Sequence, residues 1–410
     1  MSIKNIAVVG TGHAATSTAR SLRRRGFDGS ITLIGDDPHE PYQRPPLSKE
    51  YLAGDADGSS IALFTPKMLA QNDIAVRSGV RVDKLDVAGR TLELSAGGSF
   101  TADAVVLATG GRPRTLPDFP PGAPGVHYLR SFDDAARLRD RLRAGNRLAI
   151  IGGGFIGLEL AATARDLGLA VTVVEAGTRV LEPRLGSRLA EFCADLHREA
   201  GVDLRCGEGV SSVERTVDGM RLHLAGGTAV DVDDVVVAVG MVQNTGLASA
   251  AGLQVDNGIV VDACGRTASP GVFAVGDVAS RYSESAGRHV RVEHVDNANR
   301  QGAVVARALL GEEEPDDSPP WFWSDQYEFN IQFTGDHRGA DELVIRGTIA
   351  DSEFSAFYLC EGRLAAAFAV DRGEDVVFAR EMLGASFDKA MLADQDIDLW
   401  ELSERSGALA

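Results

Sequence analysis

Two stretches of this chain follow one pattern, and together they limit the possible folds more than any other feature. Val8-Val9-Gly10-Thr11-Gly12-His13-Ala14-Ala15 stands near the start, and Ile150-Ile151-Gly152-Gly153-Gly154-Phe155-Ile156-Gly157 follows the first third. Each closes an apolar run and opens a helix-forming one. Each is also followed by an acidic residue at the end of the next apolar run: Asp36, 26 positions after Gly10, and Glu175, 23 positions after Gly152. Such a carboxylate is expected about 20 residues on, where it can accept from a ribose hydroxyl. A glycine without Cβ lets the backbone turn tightly beside a pyrophosphate, whose charge then meets the open N–H groups and positive dipole end of the helix. One copy is compatible with an ordinary glycine turn. Two copies predict two dinucleotides in one protein and, with them, electron transfer.

The surrounding pattern agrees. Ile6 to Val9, Ile31 to Ile34, Leu148 to Ile151 and Ala170 to Val174 read as buried strands, and Ala14 to Arg24 as a helix. With 410 residues, two or three domains are expected. The first module runs through the strand Ala104 to Leu107, and a proline-rich crossover from Pro113 to Pro124 leads into the second. The second ends at Val235 to Gly240, and the strand Gly271 to Val275 with Gly276-Asp277 returns the chain to the first. An acidic linker, Glu312 to Pro320, precedes a tail in which Trp321 to Phe333, Leu343 to Ile349, Phe354 to Cys360 and Arg363 to Val370 have strand character. A helix is predicted at Val376 to Leu383. The predicted fold is therefore α/β, with two Rossmann-like domains and a C-terminal α+β domain. The expected boundaries are 1–112 with 241–317, then 113–240, then 318–410.

Charge and cysteine placement exclude several functions. A formal net charge of −18 argues against nucleic-acid binding. Cys193, Cys206, Cys264 and Cys360 are scattered, with no C-x-x-C or C-x4-C pair to act as a redox dithiol, and no His and Cys spacing suggests a metal. No stretch approaches a membrane span and the first residues lead straight into a strand, so a soluble cytoplasmic protein is expected.

The run Pro41-Tyr42-Gln43-Arg44-Pro45-Pro46-Leu47-Ser48-Lys49, the two fingerprints, Gly276-Asp277, Arg291-Val292-Glu293-His294 and Trp323-Ser324-Asp325-Gln326 resemble the NADH-dependent ferredoxin reductases of bacterial oxygenase systems. These flavoproteins pass electrons from NADH through FAD, one at a time, to an iron-sulfur ferredoxin that supplies a haem monooxygenase or Rieske-type oxygenase. The resemblance implies that Gly10, Gly12 and Ala15 face the FAD pyrophosphate, with Asp36 on the ribose, Arg44 near the phosphates and Asp277 on the ribityl chain. Ala15 departs from a third glycine but stays small. Asp37, Val82, Ala108, Arg130 and Val295 are further FAD contacts so implied. Lys49 is expected near flavin N5, paired with Glu159, since a fixed cation favours the reduced ring. Arg44 and Lys49 could alternatively be solvated loop charges. A buried Glu159 without a partner would be costly.

The second fingerprint implies NADH on Gly152, Gly154, Ile156 and Gly157. Glu175 would accept from the 2′-hydroxyl and repel a 2′-phosphate, although Arg179 and Arg184 just beyond could serve NADPH. Gly240, Glu293 and Trp323 would lie on the nicotinamide side, with plain core packing as the competing role for Trp323. The expected partner is a small acidic ferredoxin, and the protein a monomer or weak homodimer. Docking candidates are Arg20, Arg23, Arg24 and Arg25, or Arg288, Arg291 and Arg300; the first group could instead be a solvated helix end. The alternatives are an NADH-sensing flavoprotein like apoptosis-inducing factor, or a rubredoxin reductase.

Overall fold

The structure, a computed structural model, describes residues 3–143 and 145–406. Its contacts divide the chain into two compact units. The first comprises Met1–Pro46, Ala56–Arg112 and Met241–Ser318; the second comprises Leu47–Asp55, Pro113–Gly240 and Pro319–Ala410.

The first unit is built on a five-stranded parallel sheet. The strand order is Val272–Ala274, Ala104–Leu107, Asn5–Val9, Ser30–Ile34 and Ile74–Arg77. Ile6 stands opposite Ile31 on one side and Ala104 on the other. These strands are apolar throughout because a parallel sheet is covered on both faces. Ile6, Val8, Ile31, Leu33 and Val106 pack in one cluster with residues of the helices His13–Arg24 and Val295–Leu309. Ala7, Val9, Val105 and Leu107 pack in the other, with Leu85 and Leu92 of a three-stranded antiparallel sheet. Gly302 lets the two helices meet, since a Cβ there would lie 2.9 Å from the Ala14 carbonyl oxygen.

The second unit repeats the plan. Its parallel order is Asp203–Cys206, Ala170–Glu175, Arg147–Ile151, Asp234–Val237 and Val126–His127, with the helix Phe155–Asp166 following the glycine loop. A second sheet, antiparallel and five-stranded, runs Trp321–Gln326, Phe329–Gly335, Arg363–Val370, Glu353–Cys360, Glu342–Thr348. The α/β fold class follows.

Three details differ from the sequence pattern. Trp321 to Phe333 is not one strand but a hairpin that reverses at Tyr327, whose φ of +55° turns the chain back after Gln326. The last predicted helix spans Gly373–Glu381, because Glu374 and Asp375 suit its first turn. The acidic stretch before Pro319 is not a loose linker: Glu312, Glu313, Glu314, Asp316 and Asp317 pair with Arg25, Arg266, Arg307, Arg300 and Arg281 respectively.

Candidate functional site

In the first unit, five separate segments meet at the N-terminus of the helix His13–Arg24. The Gly10 amide donates to the Ile34 carbonyl at 2.7 Å, which brings the loop against the strand leading to Asp36. A Cβ at Gly10, where φ is +129°, would fall 2.2 Å from the Ala108 carbonyl oxygen. A Cβ at Gly12 would fall 2.5 Å from an Arg44 guanidinium nitrogen. Gly276 stands against Ala14, which sets Asp277 beside the same turn, and Ala298 of the helix begun by Val295 lies next to it. Ala15 is fully buried behind the loop. No side chain caps the helix at Gly12 and no acidic residue stands in its first turn. A pyrophosphate fits such a terminus, because its oxygens can accept the N–H groups that the chain itself leaves without a side-chain acceptor.

Asp36 is exposed at the strand end, and Asp37 accepts from the Tyr42 hydroxyl at 2.7 Å, fixing the loop that carries Arg44. Val82 turns its side chain into the core with Val9 and Ile34. Arg130 belongs to the second unit, just before the helix Phe132–Arg141, where its amide donates to Asp134.

The second glycine loop repeats the arrangement. A Cβ at Gly152 would lie 2.5 Å from the Ala238 carbonyl oxygen, and one at Gly157 would lie 2.1 Å from the Gly152 carbonyl oxygen. At Gly154, the residue that opens the helix without a side-chain cap, a Cβ would meet nothing within 4 Å. Ile156 is 48 % exposed beside it, an unusual position for a large apolar side chain. The Glu175 carboxylate accepts from the amides of Gly153 at 2.7 Å and Gly177 at 2.6 Å, so its orientation is set by the backbone. Arg184 and Gly240 are exposed, and Gly240 has φ +93° with open space where a Cβ would be.

The strongest electrostatic feature lies in the second unit. Lys49 Nζ is 3.3 Å from Glu159 Oε1 and 2.8 Å from Asp325 Oδ2. Ser48 Oγ donates to Glu159 Oε2 at 2.6 Å, and Ser324 Oγ donates to Oε1 at 2.7 Å. Lys49 and Glu159 are 9 % and 4 % exposed, so this is a buried ion pair whose lone pairs are satisfied by hydroxyls. Burial pushes the Glu159 carboxyl above its ordinary range, against the pull of Lys49, Ser48 and Ser324. Burial alone would lower Lys49, but Glu159 and Asp325 outweigh it and hold the ammonium above its usual value. Lysine therefore stays charged, and the carboxylate is the member placed to gain a proton. Trp323 is half-buried, stacked on Trp321 at 5.4 Å, with Lys49 Nζ 5.7 Å from its ring centre. Its ring therefore stands beside the pair.

Glu293 is held in the first unit by Arg291. Each docking cluster mixes tied arginines with exposed ones, Arg24 in the first and Arg288 in the second. Arg20 donates to the Leu63 carbonyl, and Arg23 donates to those of Phe27, Gly29, Asn72 and Asp73, so these two tie loops together, while Arg24 and Arg25 are exposed at the helix end, Arg25 paired with Glu312. Arg300 is bound by Asp296, Asp316 and the Ser318 carbonyl.

Sequence reasoning did not single out Ser48, Ser324, Asp325, Gln326 and His197 as site residues. Strand alternation carries part of the missing signal: Ser324 and Gln326 sit two apart on one face of a strand and are both fully buried. No periodicity marks His197, which is fully buried on the helix Glu182–Glu199.

Two glycine-loop dinucleotide folds, a buried lysine-glutamate pair and four unpaired cysteines define a two-cofactor oxidoreductase without an internal disulfide relay. Residues 4–302 match the family model for pyridine nucleotide-disulphide oxidoreductases, and residues 321–403 match the reductase C-terminal family. The chain is 40 % identical over 407 residues to putidaredoxin reductase of Pseudomonas putida, covering 97 % of this chain and 96 % of that protein. It is 39 % identical to the ferredoxin–NAD(+) reductase component of the anthranilate 1,2-dioxygenase system of Burkholderia cepacia, over 97 % and 99 % of the two chains. Among solved structures, the covalent putidaredoxin reductase-putidaredoxin complex matches with a TM-score of 0.94 at 39 % identity over 100 % of both chains. The ferredoxin reductase for the CYP199A2 system from Rhodopseudomonas palustris matches at 0.93 and 38 %, over 97 % and 99 %. The chain belongs to the pyridine nucleotide-disulphide oxidoreductase family, on the branch of the ferredoxin reductases of oxygenase systems.

Proposed function

We propose that this protein is an NADH-dependent ferredoxin reductase that supplies a haem or Rieske-type oxygenase through a small iron-sulfur ferredoxin. The observation that carries the proposal is the Lys49–Glu159 pair, a buried cation with a proton-accepting neighbour in a family member that has no paired cysteines. A bound FAD would supply the conversion between a two-electron hydride donor and a one-electron ferredoxin.

The residues divide this work. Gly10, Gly12 and Arg44 hold the FAD pyrophosphate, Asp36 the ribose and Asp277 the ribityl chain. Gly152, Gly154 and Gly157 hold that of NADH, with Ile156 covering its adenosine and Glu175 selecting a free 2′-hydroxyl. Lys49 supplies fixed positive charge to the reduced flavin, and Glu159 adjusts that charge by holding or releasing a proton. Trp323 excludes water from the nicotinamide side. The domains proposed for these tasks are 1–112 with 241–317 for FAD, 113–240 for NADH and 318–410 for the C-terminal part. Four unpaired cysteines suit the reducing cytoplasm, and no described helix is long and apolar enough to cross a membrane.

Anaerobic stopped-flow mixing with NADH, followed by turnover with candidate ferredoxins, tests the proposal. Rapid flavin bleaching and rapid ferredoxin reduction are expected. A long-lived charge-transfer complex with no ferredoxin turnover would instead favour an NADH-sensing protein.

A further inference from the structure

Behind Glu159 a chain of buried polar groups crosses the second unit. The Tyr327 hydroxyl lies 2.9 Å from His197 Nδ1, and His197 Nε2 lies 2.9 Å from Gln326 Oε1. Gln326 Nε2 donates to Ser324 Oγ at 3.1 Å, and Ser324 Oγ donates to Glu159 Oε1 at 2.7 Å. His197, Gln326 and Ser324 are all fully buried, so the sense of each bond is fixed by its neighbours rather than by water.

The sense can be worked out link by link. The Gln326 carbonyl oxygen needs a donor, which His197 supplies only as its Nε2–H tautomer, with Nδ1 accepting from Tyr327. The Gln326 amide nitrogen must then face Ser324, which accepts from it. The single hydroxyl proton of Ser324 is left for Glu159 Oε1, the oxygen that also faces Lys49. If His197 lost its donor, nothing would stop the Gln326 amide from turning over, and its oxygen would compete for the Ser324 proton.

We infer that His197, acting through Gln326 and Ser324, is a positioning residue for Glu159: it keeps Oε1 a permanent acceptor turned to Lys49 and leaves Oε2, against Ser48, as the oxygen that gains and releases the proton. Only a proton moves in this step. It comes from solvent and returns there, and no electron or other bond is involved. For the role of Glu159 the inference rests on the reductase reading, but the sense of the chain can be measured without it.

The charged groups at the Glu159 end are Lys49 and, beyond it, Asp325. At the far end Asp166, Arg165 and Glu328 act on Tyr327. His197 itself is pulled down to about 4 by burial, opposed only by Gln326, so it stays neutral at working pH.

Two measurements test this, the first on the protein as purified and the second on the FAD-loaded protein. In the first, histidine-selective 15N labelling and long-range proton-nitrogen spectra identify the His197 tautomer, its resonance assigned by its loss in His197→Gln. A neutral Nε2–H ring throughout the range in which the enzyme works is expected; an Nδ1–H or doubly protonated ring overturns the inference. In the second, the flavin midpoint potential is followed against pH. The inflection assigned to Glu159 should move up by about one pH unit in His197→Phe, the worth of one hydrogen bond to a charge, and return in His197→Gln. An unmoved inflection in His197→Phe overturns the inference. Should His197→Phe not fold, Gln326→Met breaks the same chain one link on, and the tautomer measurement needs no folded Phe variant. Protein that takes up no flavin would contradict the reductase reading and leave the tautomer result standing.

Discussion

Removing one charge from the Lys49–Glu159 pair should not simply empty a cavity. Lys49→Met leaves a buried carboxylate whose remaining support is two hydroxyls, so Glu159 takes up a proton and the site becomes neutral. We expect FAD still to bind, NADH affinity to change little, and the rate of flavin reduction to fall by about tenfold or more, read by single-turnover kinetics. His197 gives a second expectation with a definite sign. Unfolded histidine takes its proton near 6.5 and the folded residue near 4, so between those values the unfolded chain binds more protons and stability rises with pH. About 3 kcal/mol should be lost as pH falls through that window, and denaturant unfolding of His197→Gln should show a flatter dependence there. Lys49 was legible in the sequence because it closes a run shared with a known family, and Glu159 because it is a carboxylate set among the apolar residues of the first two turns of its helix. Gln326 and His197 were not, because their partnership joins residues 129 apart that no local pattern connects.

At the scale of elements, the second glycine loop offers a controlled comparison between a glycine that serves the fold and one that serves the ligand. A methyl group at Gly157 would collide with the Gly152 carbonyl oxygen at 2.1 Å, whereas one at Gly154 would enter open space at the helix terminus. Gly157→Ala should therefore destabilise the second unit by about 2 kcal/mol or more, seen as a lowered Tm. Gly154→Ala should leave Tm nearly unchanged yet raise the Kd for NADH by about tenfold, measured by flavin-independent titration calorimetry. Equal effects at both positions would mean that the loop is only a turn. The fingerprint strands were legible to within a residue or so, since a buried parallel strand shows as a short apolar run bounded by glycine. The hairpin at Tyr327 was not, because a positive φ at a tyrosine breaks the rule that such turns carry glycine or asparagine.

Taken whole, the molecule carries a large excess of negative charge. With a net charge of −18, and with Arg25 and Arg300 paired to carboxylates, the field of the whole molecule opposes a partner that is itself acidic. Ferredoxin reduction should accordingly stay level or quicken as salt is raised, whereas a steep fall would locate a basic docking face. The return of the strand before Gly276-Asp277 to the first sheet was readable from its apolar run. The arginine clasps on the acidic stretch were not, because each joins a carboxylate to a distant or differently oriented segment that only the folded chain supplies. The most direct test of an enzyme that moves electrons without sulfur is an anaerobic NADH titration of the flavin-loaded protein, beside a variant with all four cysteines changed to serine. Both should bleach completely with about one NADH per flavin and then reduce ferredoxin at similar rates. A need for two NADH per flavin in the unaltered protein, falling to one in the serine variant with loss of ferredoxin reduction, would contradict this and restore a dithiol to the pathway.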